Sequence, residues 1–77
     1  MERREEELIQ QYVAHDEELN AVYSEHQELK HQLEGFRSKL YLTPEEELEK
    51  KRIQKRKLAC KDRIMELLNR HQHDGAH

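Results

Sequence analysis

The sequence is poor in the residues that build compact cores and rigid loops. Its 77 residues include no tryptophan, one phenylalanine, two glycines and one proline. Apolar residues make up 34% of the chain and charged residues 40%. A chain of this length and apolar content can support one small folded unit at most. We therefore expect a single domain over residues 1–77.

Cysteine and long apolar runs are also scarce. The single cysteine, Cys60, excludes an intramolecular disulfide and a metal site built from paired cysteines. The longest apolar run, "LYL", is too short to cross a membrane, and the segment "MERREEELIQ" lacks the apolar centre of a secretory signal. We expect a cytoplasmic protein with no membrane span.

What the sequence does contain is a long heptad pattern. Ten positions follow an alternating spacing of four and three residues, and eight of the ten are apolar. They are Leu8, Tyr12, His15, Leu19, Val22, His26, Leu29, Leu33, Phe36 and Leu40. This spacing is typical of a helix whose seam faces a partner helix. It predicts a first helix over about residues 2–38.

A second helix has a clear start signal. Thr43 is a favourable N-cap, Pro44 suits the first helical position, and Glu46 completes a capping box with Thr43. The pattern predicts a turn over about residues 39–43 and a helix over about 44–71. The segment 72–77 lacks apolar periodicity, so we expect it to be frayed.

The two predicted helices carry opposite charge. Residues 1–34 hold ten acids and three bases, whereas residues 50–63 hold eight bases and one acid. This favours an all-α fold in which the two helices pair as an antiparallel, coiled-coil-like hairpin. The expected register brings Leu19 near Ile64, His15 near Leu68 and Tyr12 near His71.

Both helices have a broad apolar face at the open end of this hairpin. Two helices alone can cover only one stripe of each other, so we expect a homodimer that forms a four-helix bundle. The predicted seam and interface residues are Leu8, Tyr12, Leu19, Val22, His26, Leu29, Leu33, Leu58, Cys60, Ile64, Met65 and Leu68. We expect Cys60 to act there as a small buried hydrophobe.

Two blocks of the chain resemble the YdcH-like family of small bacterial proteins, a domain of unknown function. The blocks are "VYSEHQELKHQLE" and "KRIQKRKLACKDRIMELL". The matching residues are His26, Leu29 and Leu33 in the first, and Lys57, Leu58, Lys61, Asp62 and Ile64 in the second. Cys60 stands where the family usually has leucine. The resemblance spans about residues 8–70 and implies a helical hairpin with no established activity.

The sequence offers no catalytic constellation. A nucleophile with a positioned base is not apparent, and His26 has no partner at metal-ligand spacing on its own helix. We predict a non-enzymatic protein with no catalytic residue, cofactor or metal. Its expected role is that of an interaction or adaptor module for an unknown protein partner. In the seam, His26 is expected to be a polar residue that fixes the register.

Three other interpretations are weighed against this one. The basic segment could bind nucleic acid or another anionic surface through Lys50, Lys51, Arg52, Lys55, Arg56, Lys57, Lys61 and Arg63. This alternative is less favoured, because no aromatic residue is interleaved and the acidic helix can neutralise the stripe. A weaker hypothesis is a pH- or metal-responsive module using His15 and His26. The weakest is loose metal binding by His71, His73 and His77.

Overall fold

The structure is a computed structural model that describes the backbone of residues 3–75 and the side chains of residues 3–72. Within this range the chain is all-α and forms three helices: α1 (Arg3–Tyr12), α2 (Glu17–Arg37) and α3 (Pro44–Gly75). They make a body 52 Å long and 18 Å wide. No helix in the described part of the chain combines the length and apolar content needed to cross a bilayer.

The expected single helix over residues 2–38 is instead two helices, and Asp16 is the reason. Its backbone is extended, with φ of −136° and ψ of 104°, and its Oδ1 accepts a hydrogen bond of 3.1 Å from the backbone N–H of Leu19. Aspartate is one of the best N-cap residues, and Glu17 and Glu18 then suit the positive end of the helix dipole. The chain therefore ends one helix and begins another inside an unbroken heptad pattern.

This break lets α1 fold back over the apolar face that two helices would leave uncovered. Ile9 is fully buried in one core with residues of both longer helices. The core residues are Ile9, Leu19, Ile64, Leu67 and Leu68, flanked by Leu8, Tyr12, Val13, Val22 and Tyr23. The expected excess of apolar surface at this end is thus covered within one chain, by a third helix.

The α2–α3 pairing is antiparallel and follows the expected register at most positions. Leu19 and Ile64 share the core, and the Tyr12 ring stacks on His71 with centroids 4.6 Å apart and planes 8° from parallel. His15 is the exception. It was expected beside Leu68 but lies exposed in the turn after α1, because the helix break removes it from the seam.

The connection between α2 and α3 is closed by local hydrogen bonds. Thr43 Oγ1 accepts from the backbone N–H of Glu46, and Glu46 Oε1 accepts from that of Thr43, each at 3.1 Å. This is the capping box that the sequence predicts. At the other side, α2 runs through Gly35 and ends at Arg37, where Ser38 caps it.

The expected end of the last helix requires a correction as well. Instead of stopping near residue 71, α3 continues to Gly75. His71 is held by Asp16, whose Oδ2 lies 2.7 Å from His71 Nε2, and by the stack on Tyr12. These contacts hold the helix where the sequence pattern alone predicts fraying. Residues 76–77 of the expected tail lie outside the described residues.

Asp16→Ala should destabilise the fold by about 1–2 kcal/mol, because it removes the N-cap of α2 and the contact to His71. Asp16→Asn is the matched control, since asparagine caps almost as well, and it should lose clearly less. Urea denaturation followed by circular dichroism at neutral pH measures both. Equal losses for the two variants would contradict a dominant role of the cap.

The same comparison has an expected pH dependence. The hydrogen bond from the Leu19 N–H, and then that from His71, hold the pKa of Asp16 below its usual value. A carboxyl with a lowered folded-state pKa stabilises the fold above its unfolded pKa and loses this effect as the pH falls through the folded value. The difference between wild type and Asp16→Ala should therefore shrink in acid.

Candidate functional site: the groove between α2 and α3

The two edges of the α2–α3 pair differ in charge chemistry. On one edge, which we call the paired edge, arginines of α3 meet glutamates of α2. Arg56 Nη2 lies 3.1 Å from Glu25 Oε2, and Arg63 Nε lies 2.9 Å from Glu18 Oε2. The hydrogen bond from Arg56 lowers the pKa of Glu25. Opposite charges on the two helices pair along this edge. Each pair is exposed, so its contribution falls as the salt concentration rises.

The other edge is an open groove rich in cations. Two adjoining cavities, of about 360 and 320 Å³, share Leu33, Gln54 and Lys57. Together they define the basic groove, whose residues are His26, Lys30, Leu33, Glu34, Arg37, Lys50, Gln54, Lys57, Leu58 and Lys61. The ion pairs formed among the described residues involve Arg3, Lys39, Arg56, Arg63 and His71, and no cation of the groove.

Helical spacing explains why these residues meet. His26, Lys30, Leu33 and Arg37 follow steps of four, three and four residues along α2, so they share one helix face. The same steps along α3 separate Lys50, Gln54, Lys57 and Lys61. Two matching rows on antiparallel helices line the groove from both sides.

His26 is the buried polar residue of this groove. The side chain is 3% exposed, and its Nδ1 is buried with no hydrogen-bond partner. Burial, followed by the charge of Lys57, lowers the pKa of His26, so the ring is held in its neutral form. A buried polar atom without a hydrogen-bond partner lowers the stability of the fold by about 1–3 kcal/mol. A leucine at this position of the seam would avoid that loss.

The predicted basic patch is divided by the fold. Arg56 and Arg63 lie on the paired edge. Lys50, Lys57 and Lys61 line the basic groove, while the remaining members, Lys51, Arg52 and Lys55, are exposed outside it. Two cations of the groove, Lys30 and Arg37, were missed because the first half of the chain is acidic on average. Lys30 lies four residues after His26, and Arg37 lies four residues after Leu33; this helical spacing is the signal that could have found them.

The predicted interface residues occupy three kinds of environment. Five are buried in the folded chain: Leu19, His26, Cys60, Ile64 and Leu68. Those that are partly covered are Leu8, Tyr12, Val22, Leu29 and Leu33. Leu58 and Met65 remain exposed on α3. Burial raises the pKa of the Cys60 thiol, which keeps it protonated and fits a packing role.

The histidine, cysteine and acidic side chains of the described chain do not form a metal site. Within residues 3–72, no group of three or more His, Cys, Asp or Glu side chains is arranged to hold a metal ion. His15 and His26, which were considered together, lie in different environments, one exposed and one buried. The side chains of His73 and His77 lie outside the described residues.

Comparison with known proteins assigns no identity to this arrangement. No family model, curated protein or solved structure matches the chain. The resemblance to the YdcH-like family therefore stays a prediction.

Acidification should weaken the fold through His26. After burial, the charges that lower its pKa are those of cations, among them Lys57 and Lys61 on α3 and Lys30 on α2. A histidine whose pKa is lower when folded stabilises the protein fully above its unfolded value of 6.5 and loses this effect as the pH falls toward the folded value. Wild type should lose more stability than His26→Gln between about pH 7.5 and about pH 5.5.

Proton NMR of the histidine rings provides the direct measurement. The His26 resonances should titrate with a midpoint below 6.5, the ordinary value. His31→Gln is the control, because His31 is exposed on the same helix and its removal should leave the His26 titration unchanged. A His26 midpoint at or above the ordinary value would contradict the buried neutral ring.

Proposed function

We propose that this chain is a non-enzymatic protein–protein interaction module of the cytoplasm, related to the YdcH-like family, and that it works as a homodimer. The observation that carries the proposal is an apolar pair left outside the core. Leu58 is 59% exposed and Met65 is 38% exposed, although α1 packs on the core at this end of the molecule; Leu48, the other exposed leucine of α3, lies ten residues before Leu58. In a chain with so few apolar residues, an exposed pair on one helix favours a surface that docks a partner.

A second copy of the chain is the occupant that fits this surface. Leu58 and Met65 are seven residues apart and so lie on one face of α3, with Asp62 between them. If two α3 helices cross antiparallel about a twofold axis between Lys61 and Asp62, Leu58 faces Met65 of the second copy. Lys61 then faces Asp62 of the second copy, and the reverse contacts repeat by symmetry. The two α2–α3 pairs would form the four-helix bundle, with each α1 at its side.

Analytical ultracentrifugation of Met65→Lys tests the apolar part of this surface. The variant should raise the dimer dissociation constant by at least about tenfold, because a lysine replaces a buried apolar contact on both copies. Leu40→Lys is the matched control, since Leu40 is 89% exposed in the connection between α2 and α3 and lies outside the proposed contact. Wild type that remains monomeric at about 50 µM would overturn the homodimer.

Charge exchange tests the register of the two copies. Asp62→Lys should weaken the dimer, because it places two lysines opposite each other. The double variant Lys61→Asp with Asp62→Lys should restore it, because the opposite charges meet again with their positions exchanged. Failure of the double variant to recover would exclude the twofold axis between these residues even if the chain dimerises elsewhere.

A second candidate function is accessory binding of nucleic acid or another anionic surface. The basic groove supports it, because five cations from two helices line one edge and Glu34 is the single acid among them. Arg56 and Arg63 contribute less than expected, since both are engaged by glutamates. The candidate surface is therefore the groove rather than the whole segment 50–63.

Gel-shift titration of generic duplex DNA or RNA over a salt series tests this second function. Lys57→Gln with Lys61→Gln should lower the salt slope of log K by about two, because each phosphate contact contributes about 0.9. The control, Lys51→Gln with Lys55→Gln, removes the same charge from α3 outside the groove and should keep the slope. Absence of binding to nucleic acid and to anionic vesicles at about 50 mM salt would exclude this function.

A further inference from the structure

The part of the basic groove around His26 combines charged and apolar walls. Lys57 and Lys61 are neighbours one turn apart on α3, so their ammonium groups repel each other. Leu33 from α2 and Leu58 from α3 line the same cavity of about 360 Å³. A cavity of this size, with apolar walls and a few convergent polar groups, has the character of a small-molecule site.

His26 adds an independent observation that points to a ligand. It lines this cavity, is more than nine-tenths buried, and has a ring nitrogen, Nδ1, without a hydrogen-bond partner. Buried polar groups in folded proteins are nearly always hydrogen-bonded to protein or to ordered water. The part of the imidazole that lines the cavity adds a polar surface to the cationic and apolar walls, which suits an anion that carries its own apolar body.

We propose that this groove binds a small carboxylate with an apolar tail, such as a medium-chain fatty acid. The carboxylate lies between the ammonium groups of Lys57 and Lys61 and relieves their repulsion. Its tail lies along Leu33 and Leu58, and the imidazole of His26 gives the polar floor of the site. This proposal goes beyond the interaction module and does not depend on dimer formation.

The chemistry of the walls favours this class over simpler anions. Inorganic phosphate would use the lysines but leave the leucines exposed to water. An uncharged alcohol of the same length would cover the leucines but leave the lysines unpaired. Only a ligand with both parts satisfies both kinds of wall, so its affinity should exceed that of either partial ligand.

NMR titration of the full chain with octanoate is the test. Octanoate should shift the His26 ring resonances and the methyl resonances of Leu33 and Leu58 together, in one saturable process. Lys57→Gln with Lys61→Gln should weaken binding by about tenfold or more, the loss expected when charge-assisted hydrogen bonds are removed. The control, Lys51→Gln with Lys55→Gln, has the same net charge and should bind as wild type does.

Three comparisons can overturn the proposal. Octanol that binds as tightly as octanoate would show an apolar surface without anion recognition. Phosphate or a short oligonucleotide that binds more tightly than octanoate would show recognition of charge alone, and would support the second candidate function instead. Saturation by octanoate without a shift at His26 would place the ligand elsewhere on the chain.

The result can be separated from the fate of the dimer, although Leu58 and Lys61 belong to both surfaces. Titration of the Met65→Lys variant removes the proposed contact between copies and leaves every residue of the groove in place. Octanoate should bind this variant at least as tightly as it binds wild type, because Leu58 and Lys61 are then free of the second copy. A loss of binding that follows the loss of the dimer would overturn a groove formed within one chain.

Discussion

The N-cap at Asp16 is the local constraint on which the rest of the structure depends. A turn after Tyr12 ends α1, and the hydrogen bond from the Leu19 N–H to Asp16 then starts α2 in a new direction. Without that break, α1 would continue the heptad and the second apolar row of α3 would face water. With it, Ile9 completes a core against Leu19 and Ile64. A chain with 34% apolar residues thus obtains a third helix for its core from ten residues that would otherwise lengthen a hairpin.

The same pairing of α2 with α3 gives the molecule two unlike edges. Glutamates of α2 engage Arg56 and Arg63, so the long charged side chains on that edge are paired across the two helices. On the opposite edge, cations from both helices line the open groove. The charge asymmetry between the halves of the chain therefore does two things: it directs the helices to pair, and it leaves a surplus of cations on one side.

Much of this could be predicted from the sequence, and the exceptions have a common cause. Periodicity and the Thr43–Glu46 capping box predicted helical structure, the start of α3 and the register that stacks Tyr12 on His71. Continuous apolar spacing concealed the break at Asp16, because a heptad pattern depends only on the apolar positions and contains no information about an N-cap residue between them. Average charge concealed Lys30 and Arg37 in the same way. Both errors arise because the average property of a segment hides single residues. The hydrogen bond to Asp16 determines where α2 begins, and the helix face of Lys30 and Arg37 determines which side of the molecule is cationic.

His26 shows why the groove is more than a by-product of that charge asymmetry. A polar seam residue fixes a register when it makes a hydrogen bond that every shifted register would break. The Nδ1 of His26 makes no such bond, and burial, followed by the charge of Lys57, lowers the pKa of the ring and so favours its neutral form. Leucine at this position would pack against Leu29 and Leu33 without burying an unpaired polar atom. The imidazole at the floor of the cationic groove therefore fits the proposed binding of an anion there.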